Sequence, residues 1–273
     1  MKHIFKASAL FSKLRNRSWT QHLPNTTTDG HNDDQPNMKK GLHPKVPDTN
    51  LVINNVPYQY HWNSLGLRGP EPNKDADRKI LAIGNSATLG CGVPVEYSFI
   101  HKLAQHYNAD YINLSDNFVL TDTIEYAREI ISWYKPNFIY ISDFRFIDVS
   151  TFLIWHFRKT YDFKEMDKTE MYQMMIDSMK KTVNMYEDTI KLYAPTSKII
   201  WDINYTESKG RRTSFGDHFT NLEIIDCLTL PHYTYSNNDI FKDLGRDARH
   251  PGILSHEWMT KRLIKIIGEK LNG

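Results

Sequence analysis

Lys79-Ile80-Leu81-Ala82-Ile83-Gly84-Asn85-Ser86-Ala87-Thr88-Leu89-Gly90-Cys91-Gly92 is the stretch on which the fold turns. Its first five residues read as a buried strand, which runs straight into a Gly-rich turn with a helix after it. Strand, glycine turn and helix together also make a phosphate cradle, so that chemistry is tested first. A Walker loop needs four residues between its glycines and then Lys with Ser or Thr. Here five residues separate Gly84 from Gly90 and no Lys follows. The dinucleotide pattern G-x-G-x-x-G cannot be laid on these glycines either. What the turn does present is Ser86 at the mouth of a strand, beside backbone N–H groups that open a helix. Such a place suits a nucleophile and the oxyanion it generates.

Outward from this turn, short apolar runs alternate with longer periodic ones. Val95 to Tyr107 reads as a helix, and Tyr111-Ile-Asn-Leu114 as a second short strand. A helix is expected from about Thr121 to Tyr134, with Pro136 just past its end, followed by a strand over Asn137 to Ser142. A Met-rich helical region covers about Lys164 to Tyr193, its methionines spaced as core residues. Lys198 to Ile203 and Glu223 to Cys227 are further strand candidates, and Ile253 to Leu271 closes the chain as a helix. Strands alternating with helices imply βαβ units and a parallel sheet covered on both faces. In such sheets the chemistry gathers at the carboxyl ends of the strands.

The rest of the composition bounds the function. The 273 residues suffice for one large core, and a formal net charge of +2 asks for no nucleic acid or anionic membrane. No stretch has the roughly 18 uncharged apolar residues of a transmembrane helix. Cys91 and Cys227 are too few for a disulfide framework and read as small buried hydrophobes. Met1 to Trp19 is basic and free of acids, but Lys6, Ser8, Ser12 and Lys13 interrupt its apolar run. It reads as a basic leader rather than a secretory signal, which leaves the cytoplasm as the default compartment. From about Thr20 to Asn50 apolar residues almost vanish, so 1–50 is expected to be a leader with a linker or disordered arm, and 51–273 the folded domain.

A serine hydroxyl is a weak nucleophile unaided. It needs an imidazole base, and that base needs an orienting carboxylate. Asp247-Ala248-Arg249-His250-Pro251-Gly252, just ahead of the last helix, offers both within one turn. Taken singly, each residue has a plainer reading: Ser86 as a turn or cap serine, His250 as a surface histidine, Asp247 as a turn cap. His61, His101, His156, His232 and His256 read as structural or solvent-facing, with no His-x-x-x-His spacing for a metal. Trp62, Tyr205 and His232-Tyr-Thr-Tyr235 are aromatics that suit either a groove or the core.

Together these segments resemble the SGNH (GDSL-type) esterase/lipase superfamily. Gly84-Asn85-Ser86-Ala87-Thr88-Leu89-Gly90 is similar to its G-D-S-x-T-x-G turn, and Asp247-Ala248-Arg249-His250-Pro251 to its D-x-x-H-P segment. Asn63-Ser64-Leu65-Gly66-Leu67-Arg68-Gly69-Pro70-Glu71 resembles the N-s-x-G-f-R-G-x-E lead-in of many bacterial and phage members. The resemblance spans about Val52 to the C-terminus. It implies a three-layer α/β/α, flavodoxin-like sandwich with a mostly parallel sheet, a Ser86–His250–Asp247 triad, and no metal or cofactor. It also implies a small-molecule or carbohydrate ester substrate, such as an O-acetyl sugar.

The departures from the family pattern concentrate at the oxyanion hole. Asn85 stands for the usual Asp. The second block, N-l-G-x-x-G in the family, reads Asn113-Leu114-Ser115-Asp116-Asn117-Phe118. Its oxyanion donor would be the Phe118 N–H or the Asn117 side chain, alongside the Ser86 N–H. The third block, G-x-N-D, reads Ser142-Asp143-Phe144-Arg145, with Phe144 in the place of the Asn donor. A lost oxyanion donor costs about 10²–10³ in rate. Arg145 is either a compensating cationic donor or a partner for Asp143 or Asp148. These losses leave two alternatives to hydrolysis: a binding protein on the same scaffold, or an O-acyltransferase.

Overall fold

In the computed structural model, which describes residues 25–29, 59–84, 86–115, 120–142, 181, 183–203, 232–236, 242–246 and 250–270, two sheets appear. β1 (Thr26–Asp29) and β2 (Gln59–Trp62) form an antiparallel pair. The other sheet has five strands: β3 (Lys79–Ile83), β4 (Asp110–Asn113), β5 (Phe138–Ser142), β6 (Lys198–Ile203) and β7 (His232–Ser236). Their order is β4-β3-β5-β6-β7, and every neighbouring pair is parallel. The helices between them are α1 (Ser86–Leu89), α2 (Phe99–Tyr107), α3 (Leu120–Tyr134), α4 (described over 183–193) and α5 (Ile253–Lys270).

The strands are apolar on both faces because helices cover both. Leu81, Ile83, Ile139, Ile141, Ile199 and Trp201 pack with α3 and α4 in one core cluster. The alternate residues, Ile80, Ala82, Phe138, Tyr140 and Ile200, pack with α2 and α5 in the other. This period-two division is what a strand's geometry imposes, and it yields the expected three-layer α/β/α sandwich. The second strand of the sheet lies outside the first, while the third, fourth and fifth follow on its other side. The winding therefore reverses between β3 and β5, and the carboxyl ends of strands at such a reversal are where open parallel sheets bind their ligands. Ser86 begins the turn after β3, at that place.

Several local expectations shift. The stretch read as one helix over Val95 to Tyr107 is a 3₁₀ turn over Val95–Tyr97 and then α2, broken at an extended Ser98 (φ −65, ψ 142). Ser98 caps α2, its Oγ accepting from the His101 N–H at 3.4 Å. The Glu223 to Cys227 strand candidate and the start of the Met-rich region lie outside the described residues. The fifth strand of the parallel sheet among the described residues is His232–Ser236, drawn from the aromatic stretch considered for a groove. Thr26–Asp29, inside the stretch read as an arm, forms β1 against β2, with Thr26 facing Trp62 and Asp29 facing Gln59. Trp62 Nε1 donates to Thr28 Oγ1 at 3.0 Å. Composition misses β1 because its order comes from backbone pairing with a distant strand rather than from apolar content.

Candidate active site

Residues after β3 are held by a small buried polar network. Ser86 opens α1, a single turn; its carbonyl accepts from Cys91 N–H at 2.9 Å. Thr88, inside that turn, shares a 2.6 Å hydrogen bond with Ser142 Oγ at the end of β5. The Thr88 carbonyl accepts from Asn113 Nδ2 at 2.9 Å, and Asn113 Oδ1 accepts from the Ser115 N–H at 3.1 Å. Thr88, Asn113, Ser115 and Ser142 are all buried. Strand ends β3, β4 and β5 are thereby pinned to the turn that carries Ser86. Gly84 is required here by close approach: a Cβ would collide with Ser142 Oγ and with Thr88 Oγ1.

The segment ahead of α5 is folded back on itself. Leu244 bridges Pro251, Gly245 N–H donates to the His250 carbonyl at 2.8 Å, and Gly252 N–H to the Asp243 carbonyl at 3.1 Å. Asp243 anchors this turn on α5. Its carboxylate accepts from Leu254 N–H at 3.0 Å, Ser255 N–H at 2.9 Å and Ser255 Oγ at 2.7 Å. Two otherwise orphaned helix N–H groups are satisfied this way. Across from it, the Arg246 N–H donates to the Gly92 carbonyl at 2.8 Å, tying this turn to the loop after α1. A Cβ on Gly245 would sit 2.6 Å from that same carbonyl.

These two turns bring the half-buried side chains of Ser86 and His250 together. His250 Nε2 lies 2.7 Å from Ser86 Oγ, across 164 residues of sequence. For Nε2 to accept from the hydroxyl, the neutral imidazole must carry its proton on Nδ1. An orienting acid would then have to stand on the Nδ1 side. Asp247, named for that place, lies outside the described residues. So do Asn117, Phe118 and Arg145, named with the Ser86 N–H for the oxyanion hole, and Asn85.

The lead-in loop closes on itself and reaches the same region. Asn63 Oδ1 accepts from Leu65 and Leu67 N–H at 3.0 and 3.1 Å, and its Nδ2 donates to the Pro70 carbonyl at 2.9 Å. Glu71 takes the Ser64 N–H and Oγ at 2.7 and 2.6 Å. Every polar residue of the motif thus has a structural place, and Arg68 is delivered to the interior. Behind the site, His256 of α5 is wholly buried. Its Nδ1 accepts from the Phe99 N–H at 3.3 Å, and its ring stacks on Phe99 at 5.7 Å. Burial first, then the charges of Arg68, His250 and Lys102, push its pKa down to about 3. It is a neutral core histidine.

Sequence reasoning did not single out Asn113, Thr88, Ser142 or Asp243 as supports. The first three stand inside the quoted motifs, and their mutual bonds were not legible there. Asp243 lies eleven residues ahead of the nearest N–H it caps, so no local capping pattern marks it. Trp62 is buried at 5% exposure and its backbone bridges Arg68; Tyr205 lies outside the described residues. Among the described residues no group of three His, Cys, Asp or Glu side chains is placed to hold a metal ion, and no helix is long and apolar enough to cross a membrane.

No family model matches the chain, and no curated protein matches it. Solved structures do. A Bacteroides ovatus protein described as a GDSL-like lipase matches at TM-score 0.50 and 13% identity, over 75% of this chain and 56% of that one. A carbohydrate esterase family 2 enzyme with a carbohydrate-binding domain, from Corynascus thermopiles (Myceliophthora fergusii), matches at TM-score 0.49 and 16% identity, over 79% of this chain and 71% of that one. The acetyl xylan esterase Est2A of Butyrivibrio proteoclasticus matches at TM-score 0.47 and 14% identity, over 75% and 66%. The five-stranded parallel order, the two helical layers and the first of these likenesses agree: the chain has the fold of the SGNH (GDSL-type) hydrolases.

Proposed function

We propose that this protein is a serine esterase that works through an acyl-enzyme. The observation that supports it most is the 2.7 Å approach of His250 Nε2 to Ser86 Oγ at the carboxyl end of β3. In this reading Ser86 Oγ attacks the ester carbonyl while His250 takes its proton. Collapse of the tetrahedral intermediate expels the alcohol, which receives that proton from His250. A water molecule, deprotonated by His250, then attacks the acyl-enzyme, the Ser86 Oγ–acyl bond breaks to release the acid, and His250 returns the proton to Ser86 Oγ. Asp247 holds the imidazole with its proton on Nδ1. The oxyanion donors assigned in this reading are the Ser86 N–H, a donor from Asn117 or Phe118, and Arg145. The substrate class that the family resemblance favours is a small-molecule or carbohydrate ester, such as an O-acetyl sugar. The division into an arm over 1–50 and a catalytic domain over 51–273 belongs to the same proposal, with Thr26–Asp29 of the arm paired to β2 of the domain.

A fluorophosphonate probe tests it directly. The wild-type protein should label, and Ser86→Ala should abolish labelling. Hydrolysis of p-nitrophenyl acetate should fall more than about 10³-fold in the same variant. Labelling that persists in Ser86→Ala, or a wild-type protein that does not label, would overturn the reading. Product analysis with a sugar acceptor present separates hydrolysis from acyl transfer.

A further inference from the structure

The Arg68 guanidinium, 1% exposed, meets both segments that carry the candidate pair. Its Nη1 donates to the carbonyls of Leu89 at 3.0 Å and Gly90 at 2.5 Å, and its Nη2 to that of Val93 at 2.6 Å. These carbonyls belong to the end of the turn that Ser86 opens and to the loop that follows. Gly92, within the same loop, accepts from the Arg246 N–H, and the neighbouring Gly245 N–H donates to the His250 carbonyl. One set of bonds therefore joins Arg68 to the turn of Ser86. Two further backbone bonds join that loop to His250. Gly90 and Gly92 both have left-handed backbone (φ +80 and +87), which lets the loop aim its carbonyls at the guanidinium and at Arg246.

We infer that Arg68 is a positioning residue for the Ser86–His250 pair, a role that rests on the esterase reading above. Burying a cation is costly, and here three charge-assisted bonds and the face of Tyr60, 4.2 Å from the guanidinium carbon, offset that cost. A lysine cannot take its place. Its compact ammonium has no fixed fork to span the carbonyls of residues 89, 90 and 93 together. The arginine therefore sets the shape of the 89–93 loop, and that loop sets the distance between the nucleophile's turn and the turn of His250. A displacement of about 1 Å at reacting groups costs on the order of 10² in rate.

The test compares Arg68→Lys and Gly245→Ala with wild type. The second variant places a methyl against the Gly92 carbonyl and so disturbs the far end of the same link. Folding is checked by circular dichroism, and Arg68→Gln, which keeps donors but drops the charge, serves where Arg68→Lys does not fold. Each folded variant should lose about 10- to 100-fold in kcat on p-nitrophenyl acetate, with KM within about threefold of wild type. The double variant should lose no more than the worse single one, because both act through one link. A folded Arg68 variant with wild-type kcat, or losses that multiply in the double variant, would overturn the inference. A wild-type protein that does not label with fluorophosphonate would instead bring down the esterase reading itself.

Discussion

Asn113 connects the end of β4 to the nucleophile turn with one amide, donating to the Thr88 carbonyl and accepting from the Ser115 N–H. Neither contact is visible in a sequence, where Asn113 is simply a polar residue at the end of an apolar strand. Its meaning comes from burial: at 3% exposure, both of its partners lose water when the fold forms. Asn113→Ala should remove the buried hydrogen bonds to the Thr88 carbonyl and from the Ser115 N–H, which predicts a loss of about 2–4 kcal/mol in unfolding free energy. Urea denaturation reads that directly, and p-nitrophenyl acetate turnover should fall with it. Ser86 and His250 contrast with Asn113. Their residue types and motif settings were legible, because chemistry selects the side chain itself, whereas a support is selected only for the bond it makes.

At the scale of elements, the clearest case is how α5 begins. Its first turn receives no cap from its immediate neighbours; the carboxylate of Asp243, folded back by the Leu244–Pro251 bridge, supplies one. Asp243→Ala should cost about 2–4 kcal/mol, since it removes the acceptor of the Leu254 and Ser255 N–H groups and with it the cap. By contrast, Glu71→Ala removes an exposed pair of bonds to Ser64 and should cost under about 1 kcal/mol. Thermal unfolding of the two variants side by side checks that ordering. The strands and helices of the sandwich were legible because apolar periodicity reports burial on one or two faces. The break at Ser98, the partner of β1 and the strand at His232–Ser236 were not. Each of them is decided by what lies across the sheet or cap, not by the segment's own pattern.

For the whole molecule, pH enters through the core. His256 is buried at the packing of α2 against α5, and its folded pKa, about 3, lies below its ordinary 6.5. Below pH 6.5 the unfolded chain binds a proton there that the folded protein refuses. The stability is thus fully present above pH 6.5 and is lost as pH falls toward 3, by about 1.4 kcal/mol per pH unit from this group. His256→Gln should flatten that part of the profile. Urea midpoints at pH 7 and pH 5 should differ less in the variant than in wild type; an equal difference would show that His256 does not contribute.

The alternation of strands and helices, the apolar faces that become the two cores, and the residue types at the Ser86 and His250 turns were readable from residue order alone. These are properties of short windows, in which periodicity and motif spacing carry the physics. The order in which the strands lie, and with it the reversal between β3 and β5 beside the turn of Ser86, was set only by folding. Folding alone also set the 2.7 Å meeting of Ser86 with a histidine 164 residues away, and the burial of Arg68 against the loop that joins them. Such contacts depend on chain closure over long separations. Their free energy comes from desolvation and exact partners, and no local pattern encodes either one.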